Sequence, residues 1–281
     1  MVTIKESRIF DAIKSAFIEM NYTLTDDVVS LIFKSEESEK NTTAKSVLMQ
    51  MKKNLDAAKN DNFPICQDTG MAVVFLEIGN KVIIESEKSI KQIVNEAVKA
   101  AYHEGYLRLS VVSDPLKRVN TNDNTPAIVY TDIVSGEDIK IRMTAKGFGS
   151  ENMSSIKMFN PSAAKEDIVD FVVDTVRNAK SRPCPPIVLG VGIGGTFDYC
   201  AVMAKKALVR DLNEENPDPF YAEMEKEILN KVNELNIGPQ GFGGNTTALK
   251  VNIETFATHI AGLPVAVNIN CHVTRHKTEV L

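Results

Sequence analysis

Three apolar runs, each bounded at one end by a cysteine turn, set the architecture open to this chain. They cover 71–78, 187–191 and 264–269, and each reads as a buried strand. Cys66 stands before the first, in Pro64-Ile65-Cys66-Gln67-Asp68-Thr69-Gly70. Cys184 stands before the second, in Arg182-Pro183-Cys184-Pro185-Pro186, and Cys271 closes the third. A rigid sheet can aim such turns at a common point. Three converging thiolates suit a soft, thiophilic metal centre, with an iron–sulfur cluster the first candidate. Such a cluster normally takes four protein ligands, so three would leave one iron open to substrate. Unbridged cysteines more often act as small apolar fillers. Cys200, inside the helical stretch Phe197-Asp198-Tyr199-Cys200-Ala201-Val202-Met203-Ala204, fits that plainer description.

Amphipathic stripes surround these runs. Phe10, Ile13, Ala16, Phe17 and Met20 form one; Val47, Leu48, Met51, Leu55 and Ala58 form another, with Thr43 or Ser46 as its expected cap. A third runs from Ile90 to Ala101. The polar stretch 109–126 is expected to be a loop leading into strands 127–133 and 139–144, joined by the turn Ser135-Gly136-Glu137-Asp138. Helices follow at 168–179, 197–208 and through Tyr221 to Leu235, with strands near 248–253 and 265–269. The pattern predicts a mixed α/β (α+β) fold. A helical part over 1–62 would pack on a mixed-sheet body over 63–281, the whole forming one catalytic region.

At 281 residues the chain can bury a large core. A net charge of −5 and the lack of a long Lys/Arg run argue against a nucleic-acid surface. No apolar stretch approaches the roughly 18–20 residues a membrane span needs. The charged start, Met1-Val2-Thr3-Ile4-Lys5-Glu6, is not a signal core. A cytoplasmic protein with reduced thiols is the expectation, and the wide cysteine spacing is unlike a disulfide scaffold.

Gly190-Val191-Gly192-Ile193-Gly194-Gly195 satisfies the dinucleotide fingerprint Gly-x-Gly-x-x-Gly. A tight strand-to-helix turn is the plainer reading, because no second parallel strand ending in an acidic residue follows soon after. A nicotinamide-dependent oxidoreductase rests on this stretch alone. Two further glycine-rich loops occur, Lys146-Gly147-Phe148-Gly149-Ser150 and Gly238-Pro239-Gln240-Gly241-Phe242-Gly243-Gly244-Asn245. His259, a short connection before Cys271, is expected near it. His272 and His276 beside Cys271 offer a weak zinc pattern. Arg108 is by default a surface arginine and otherwise a bidentate grip for a substrate carboxylate. Asp68 is a turn residue or an acid/base group.

The Cys66 motif, the Cys184-Pro185-Pro186 stretch with its glycine run, and the Gly-Pro-Gln-Gly loop followed by His259 and Cys271 occur together in this order. Together they resemble the class I (iron–sulfur) fumarate hydratases and the related L-tartrate dehydratases, in their α subunit or N-terminal catalytic region. The resemblance implies that Cys66, Cys184 and Cys271 ligate a 4Fe-4S cluster whose open iron acts as a Lewis acid. It implies that Gln67 and Asp68 contact substrate and assist proton transfer, that His259 and Arg108 bind substrate, and that an amide of the 147–149 loop, taken as Gly149, adds a contact. The implied reaction is reversible dehydration of malate to fumarate, a tricarboxylic acid cycle step, with L-tartrate dehydration as the alternative. It further implies a separate β subunit, in a dimer or heterotetramer, because the chain ends at Leu281. A non-catalytic cluster scaffold would instead recruit Cys200 as a fourth ligand.

Overall fold

The computed structural model describes all residues from Met1 to Leu281. The first elements are β1 (Val2–Lys5), α1 (Glu6–Tyr22), α2 (Asp26–Ser38), α3 (Thr42–Asp61), β2 (Met71–Gly79), β3 (Val82–Glu85) and α4 (Ile90–Glu104). Then come β4 (Ile128–Val134), β5 (Ile139–Lys146), α5 (Phe148–Glu151), β6 (Ser155–Phe159), α6 (Lys165–Ala179) and β7 (Ile187–Gly194). The last are α7 (Phe197–Ala207), α8 (Pro219–Asn233), β8 (Ala248–Phe256), β9 (Leu263–Asn270) and β10 (His276–Val280). The mixed α/β class expected from the sequence is found. No helix is long and apolar enough to cross a membrane.

The elements form two compact units, each discontinuous in sequence. One comprises Met1–Thr25, Ala57–Phe148 and Arg275–Leu281; the other comprises Asp26–Asp56 and Gly149–Thr274. The crossing nearest residue 62 falls within α3, between Asp56 and Ala57.

In the first unit, the sheet β10-β5-β2-β4 is covered by α1 and α4. The stripe on α1 does what its spacing predicts: Ile13, Ala16, Phe17 and Met20 are buried against Val94, Val98 and Tyr102 of α4 and Val74 and Leu76 of β2. Ser89 and Gln92 close a capping box at the start of α4. A small parallel pair, β1 with β3, lies beside this sheet in the chain order.

The expected hairpin of β4 and β5 does not form. β2 lies between them, parallel to β4 and antiparallel to β5. The short connection passes over the end of β2, where the Gly79 amide donates to the Asp138 carbonyl at 2.9 Å. Gly79 permits this, since a Cβ there would lie 2.6 Å from the Gly136 carbonyl carbon. The cap of α3 also differs: Asn41 Oδ1 accepts from the amides of Thr43 and Ala44 at 2.9 and 3.0 Å, rather than Thr43 or Ser46 capping.

In the second unit, the sheet order is β6-β9-β7-β8, with β7 parallel to β8 and antiparallel to β9. Alternation along β7 explains the glycine run. Leu189, Val191 and Ile193 face the core shared with α6 and α8. Gly190 and Gly192 face α7, where a Cβ would lie 2.0 Å from the carbonyl oxygens of Ala204 and Cys200 respectively. Those two glycines let a helix lie on the strand. Only Gly194 and Gly195, at φ +92° and +69°, make the turn into α7. The strand thus extends past 191, and 190–193 form ladder rather than a pyrophosphate cradle.

Candidate functional site

Each unit carries its own group of functional candidates. In the first, the Cys66–Gly70 turn is held at both ends. The Ile65 amide donates to the Asn21 carbonyl at 2.9 Å, and buried Ile65 anchors the turn to the end of α1. Beyond it, Tyr102 Oη donates to the carbonyls of Thr69 and Gly70 at 2.8 and 2.9 Å. Burial pushes the Tyr102 phenol well above its ordinary value; the Arg275 charge pulls it back and the Asp68 charge adds to the rise. Cys66 and Asp68 are half-buried and Gln67 is exposed.

Both carboxylate oxygens of Asp68 accept backbone hydrogen bonds: Oδ1 from Gly70 and Oδ2 from Phe148, each at 2.9 Å. The second bond ties the Cys66 turn to the Lys146-Gly147-Phe148 loop. Each oxygen keeps a further acceptor position, the minimum for a group that exchanges a proton with substrate. Thr69 Oγ1 donates to the Arg108 carbonyl at 3.2 Å, which fixes the backbone of Arg108 beside this turn while its side chain is exposed. Sequence reasoning missed Arg275. This buried residue donates from Nη1 to the Asp68 carbonyl at 2.7 Å and to Asn21 Oδ1 at 2.8 Å. It also missed Asn124, whose Oδ1 accepts from Ser110 and whose Nδ2 donates to the Gly70 carbonyl at 3.2 Å.

In the second unit, Cys184 and Cys271 come together because β7 and β9 are antiparallel, with Val188 opposite Asn270. The His272 amide donates to the Cys184 carbonyl at 3.3 Å, and His272 Nδ1 stands 3.0 Å from the same oxygen. Gln240 of the Gly-Pro-Gln-Gly loop donates from its amide and from Nε2 to the Pro185 carbonyl, at 2.7 and 3.0 Å. Three segments distant in sequence are therefore locked into one surface. Cys184 is exposed with φ at +55°, a left-handed conformation costing on the order of 1–3 kcal/mol for a residue with a side chain. Such strain is held by its surroundings, here by Gln240 and His272. Gly149 is exposed at the start of α5, with open space where a side chain would be.

His259 does not lie near Cys271. It precedes β9 and Cys271 follows it, and the steps of ~3.4 Å between the strand's eight residues put about 24 Å of ladder along the way. His259 is exposed at the opposite end, where neighbouring Thr258 donates to the Gly195 carbonyl at 2.9 Å. The zinc pattern is not assembled: His276 lies in β10 with Nε2 2.9 Å from Thr25 Oγ1. No three His, Cys, Asp or Glu side chains, the cysteines included, are gathered as a ready-made metal site.

The four thiols separate by environment. Cys66, Cys184 and Cys271 sit in turns and are accessible, whereas Cys200 is fully buried against Ala204 and Ala266. Burial pushes the Cys200 thiol upward, away from the thiolate that a metal needs. The three accessible thiols are of the donor type that a thiophilic metal takes.

The fumarate hydratase (Fumerase) family profile matches residues 10–280. The chain belongs to this family. A "Putative L(+)-tartrate dehydratase subunit alpha" from Methanocaldococcus jannaschii is 40% identical over 273 residues, covering 95% of each chain. The "L(+)-tartrate dehydratase subunit alpha" of Escherichia coli K12 is 31% identical over 259 residues, covering 91% of this chain and 84% of the relative. The family and both relatives carry the names of hydro-lyases. For a fumarate hydratase family member, the pairing of an accessible cysteine turn with a doubly amide-bonded aspartate gives the residues physical content beyond a motif match.

Proposed function

We propose that this chain is the catalytic α-type subunit of a hydro-lyase that removes water reversibly from a small 2-hydroxy dicarboxylate, with malate and fumarate as its pair. Residues 1–281 act in this reading as one catalytic region. The observation that carries it is the joined Cys184 and Cys271 turns in a chain of this family, with Cys66 in a third accessible turn two residues from Asp68. Cys66, Cys184 and Cys271 would hold a 4Fe-4S cluster. When bound, the cluster supplies Lewis-acid chemistry at the substrate hydroxyl.

The chain's own residues do the rest. Asp68 takes or returns a proton at the carboxylate oxygens held by the Gly70 and Phe148 amides. The exposed Arg108 guanidinium grips a substrate carboxylate in bidentate fashion. Gln67 and the Gly149 amide complete the contacts. His259 enters this reading on the resemblance alone. A second, β-type chain supplies further substrate contacts; the relatives' names as alpha subunits support that partner. Those same names favour L-tartrate as a second substrate reading.

The test is iron and acid-labile sulfide on protein purified without oxygen, followed by assays with malate, fumarate and L-tartrate, with and without the partner chain. About four of each per chain is expected for such a cluster, with turnover only in the presence of the partner. Asp68→Asn should then lower kcat by about 10²–10⁴-fold while iron content holds. Absence of iron and sulfide after anaerobic reconstitution would overturn the reading.

A further inference from the structure

We propose that Arg275 is the positioning residue for Asp68, holding the carboxylate in the one orientation in which it can exchange a proton with substrate. This rests on the hydro-lyase reading, in which Asp68 handles the proton. Arg275 is only 2% exposed, and no side-chain carboxylate is its hydrogen-bond partner. Nη1 donates to two neutral acceptors, Asn21 Oδ1 and the main-chain carbonyl of Asp68, and the buried Nε has no partner. A buried arginine normally ends on a carboxylate, because desolvating the charge is otherwise costly.

The two acceptors show what this arrangement does. Asn21 also receives the Ile65 amide on its own carbonyl, so one residue of α1 ties the start of the Cys66 turn to Arg275, and Arg275 ties it to Asp68. The backbone of Asp68 is thereby fixed on one side. Its carboxylate is fixed on the other by the Gly70 and Phe148 amides.

Gly147 reports how tight the fit is. A Cβ on it would lie 3.2 Å from Asp68 Oδ2 and 3.5 Å from Arg275 Nη2, so both side chains close over that α-carbon. Gly147 has ordinary negative φ, and space rather than conformation is what excludes a side chain there. Gly147→Ala thus moves Asp68 Oδ2 by a few tenths of an ångström with Arg275 intact, a second and independent way to disturb the same geometry.

The experiment uses the chain with its partner for kinetics and the chain without iron for amide exchange. Arg275→Ala is expected to lower kcat about 10²-fold, the cost of a misplacement near 1 Å, with KM and iron content nearly unchanged. Guanidinium ion at millimolar concentration should restore much of that loss, and Arg275→Lys should fall between the two. Gly147→Ala should lower kcat by less than Arg275→Ala. In the iron-free chain, the Gly70 and Phe148 amides of Arg275→Lys should exchange about tenfold faster, with the amides of β7 unaffected. A kcat that falls only in step with iron content or melting temperature, without rescue by guanidinium, would reduce Arg275 to a structural brace. Unchanged exchange at Gly70 and Phe148 would overturn the proposal outright. If the wild type shows no hydro-lyase activity, the functional reading fails, and the exchange measurement still decides whether Arg275 holds Asp68.

Discussion

The two ends of the β7–β9 pair could hardly differ more. At one end the Cys184 carbonyl is bonded to His272, the neighbour of Cys271, and Gln240 braces the adjacent Pro185 carbonyl. At the other, His259 lies twelve residues from Cys271 in sequence, yet the strand carries it to an exposed loop with Ile260, just past the exposed Phe256 that ends β8. Antiparallel pairing converts a long separation into contact and a short one into the length of a strand. The cysteine end is also the strained end, with Cys184 at positive φ and Gln240 at φ +52°. Both residues lie in the loops at that end, beside the accessible Cys184 thiol.

The largest expected effect is at the cysteine end. Cys184→Ala or Cys271→Ala should abolish iron retention and turnover, whereas Cys200→Ala should keep both; iron analysis of the three variants separates ligand from filler. Retention of iron by Cys184→Ala would remove the functional asymmetry between the two ends. Next comes the middle of the ladder. Gly192→Ala drives a methyl group into the Cys200 carbonyl of α7 and should cost about 1–3 kcal/mol or more, read from the denaturant midpoint. A neutral result there would mean that α7 can lift from the strand.

Gln240→Ala removes a side-chain bond to the Pro185 carbonyl and should cost about 1 kcal/mol while quickening the loss of iron from reconstituted protein. Equal iron half-lives for this variant and the wild type would show that the brace is dispensable. The smallest effect belongs to the far end. Ile260→Ser, at a residue 91% exposed, should change unfolding free energy by no more than ~0.5 kcal/mol. A larger destabilisation would show that the exposed end is built into the core after all.

Much of this was readable in the residues because burial leaves a period. The stripes of α1 and α4 and the runs of β2 and β9 appear where apolar spacing puts them. What escaped was contact between distant segments. The β4–β5 connection looks like a hairpin, and only the missing Cβ of Gly79 tells of the strand beneath it. Glycines 190 and 192 look like a loop because a strand face pressed against a helix backbone needs no side chain. β10 is a polar edge strand with no apolar run to announce it. Of the candidate site, the three turns were visible through their cysteines, prolines and glycines. Arg275 was not, since a buried arginine that binds carbonyls carries no local signal, and His259 was misplaced by its nearness in sequence.

The pairing of β10 with β5 has a consequence for biosynthesis. Ribosomes release β5 long before His276–Val280, and the whole of the second unit's main sheet is made in between. Until residues 275–280 emerge, β5 has an open edge and the Asp68 turn lacks its arginine. The first unit's sheet is therefore completed only after the second unit's strands have been made, and a nascent chain paused before residue 275 should expose a strand edge to any cellular factor that recognises one.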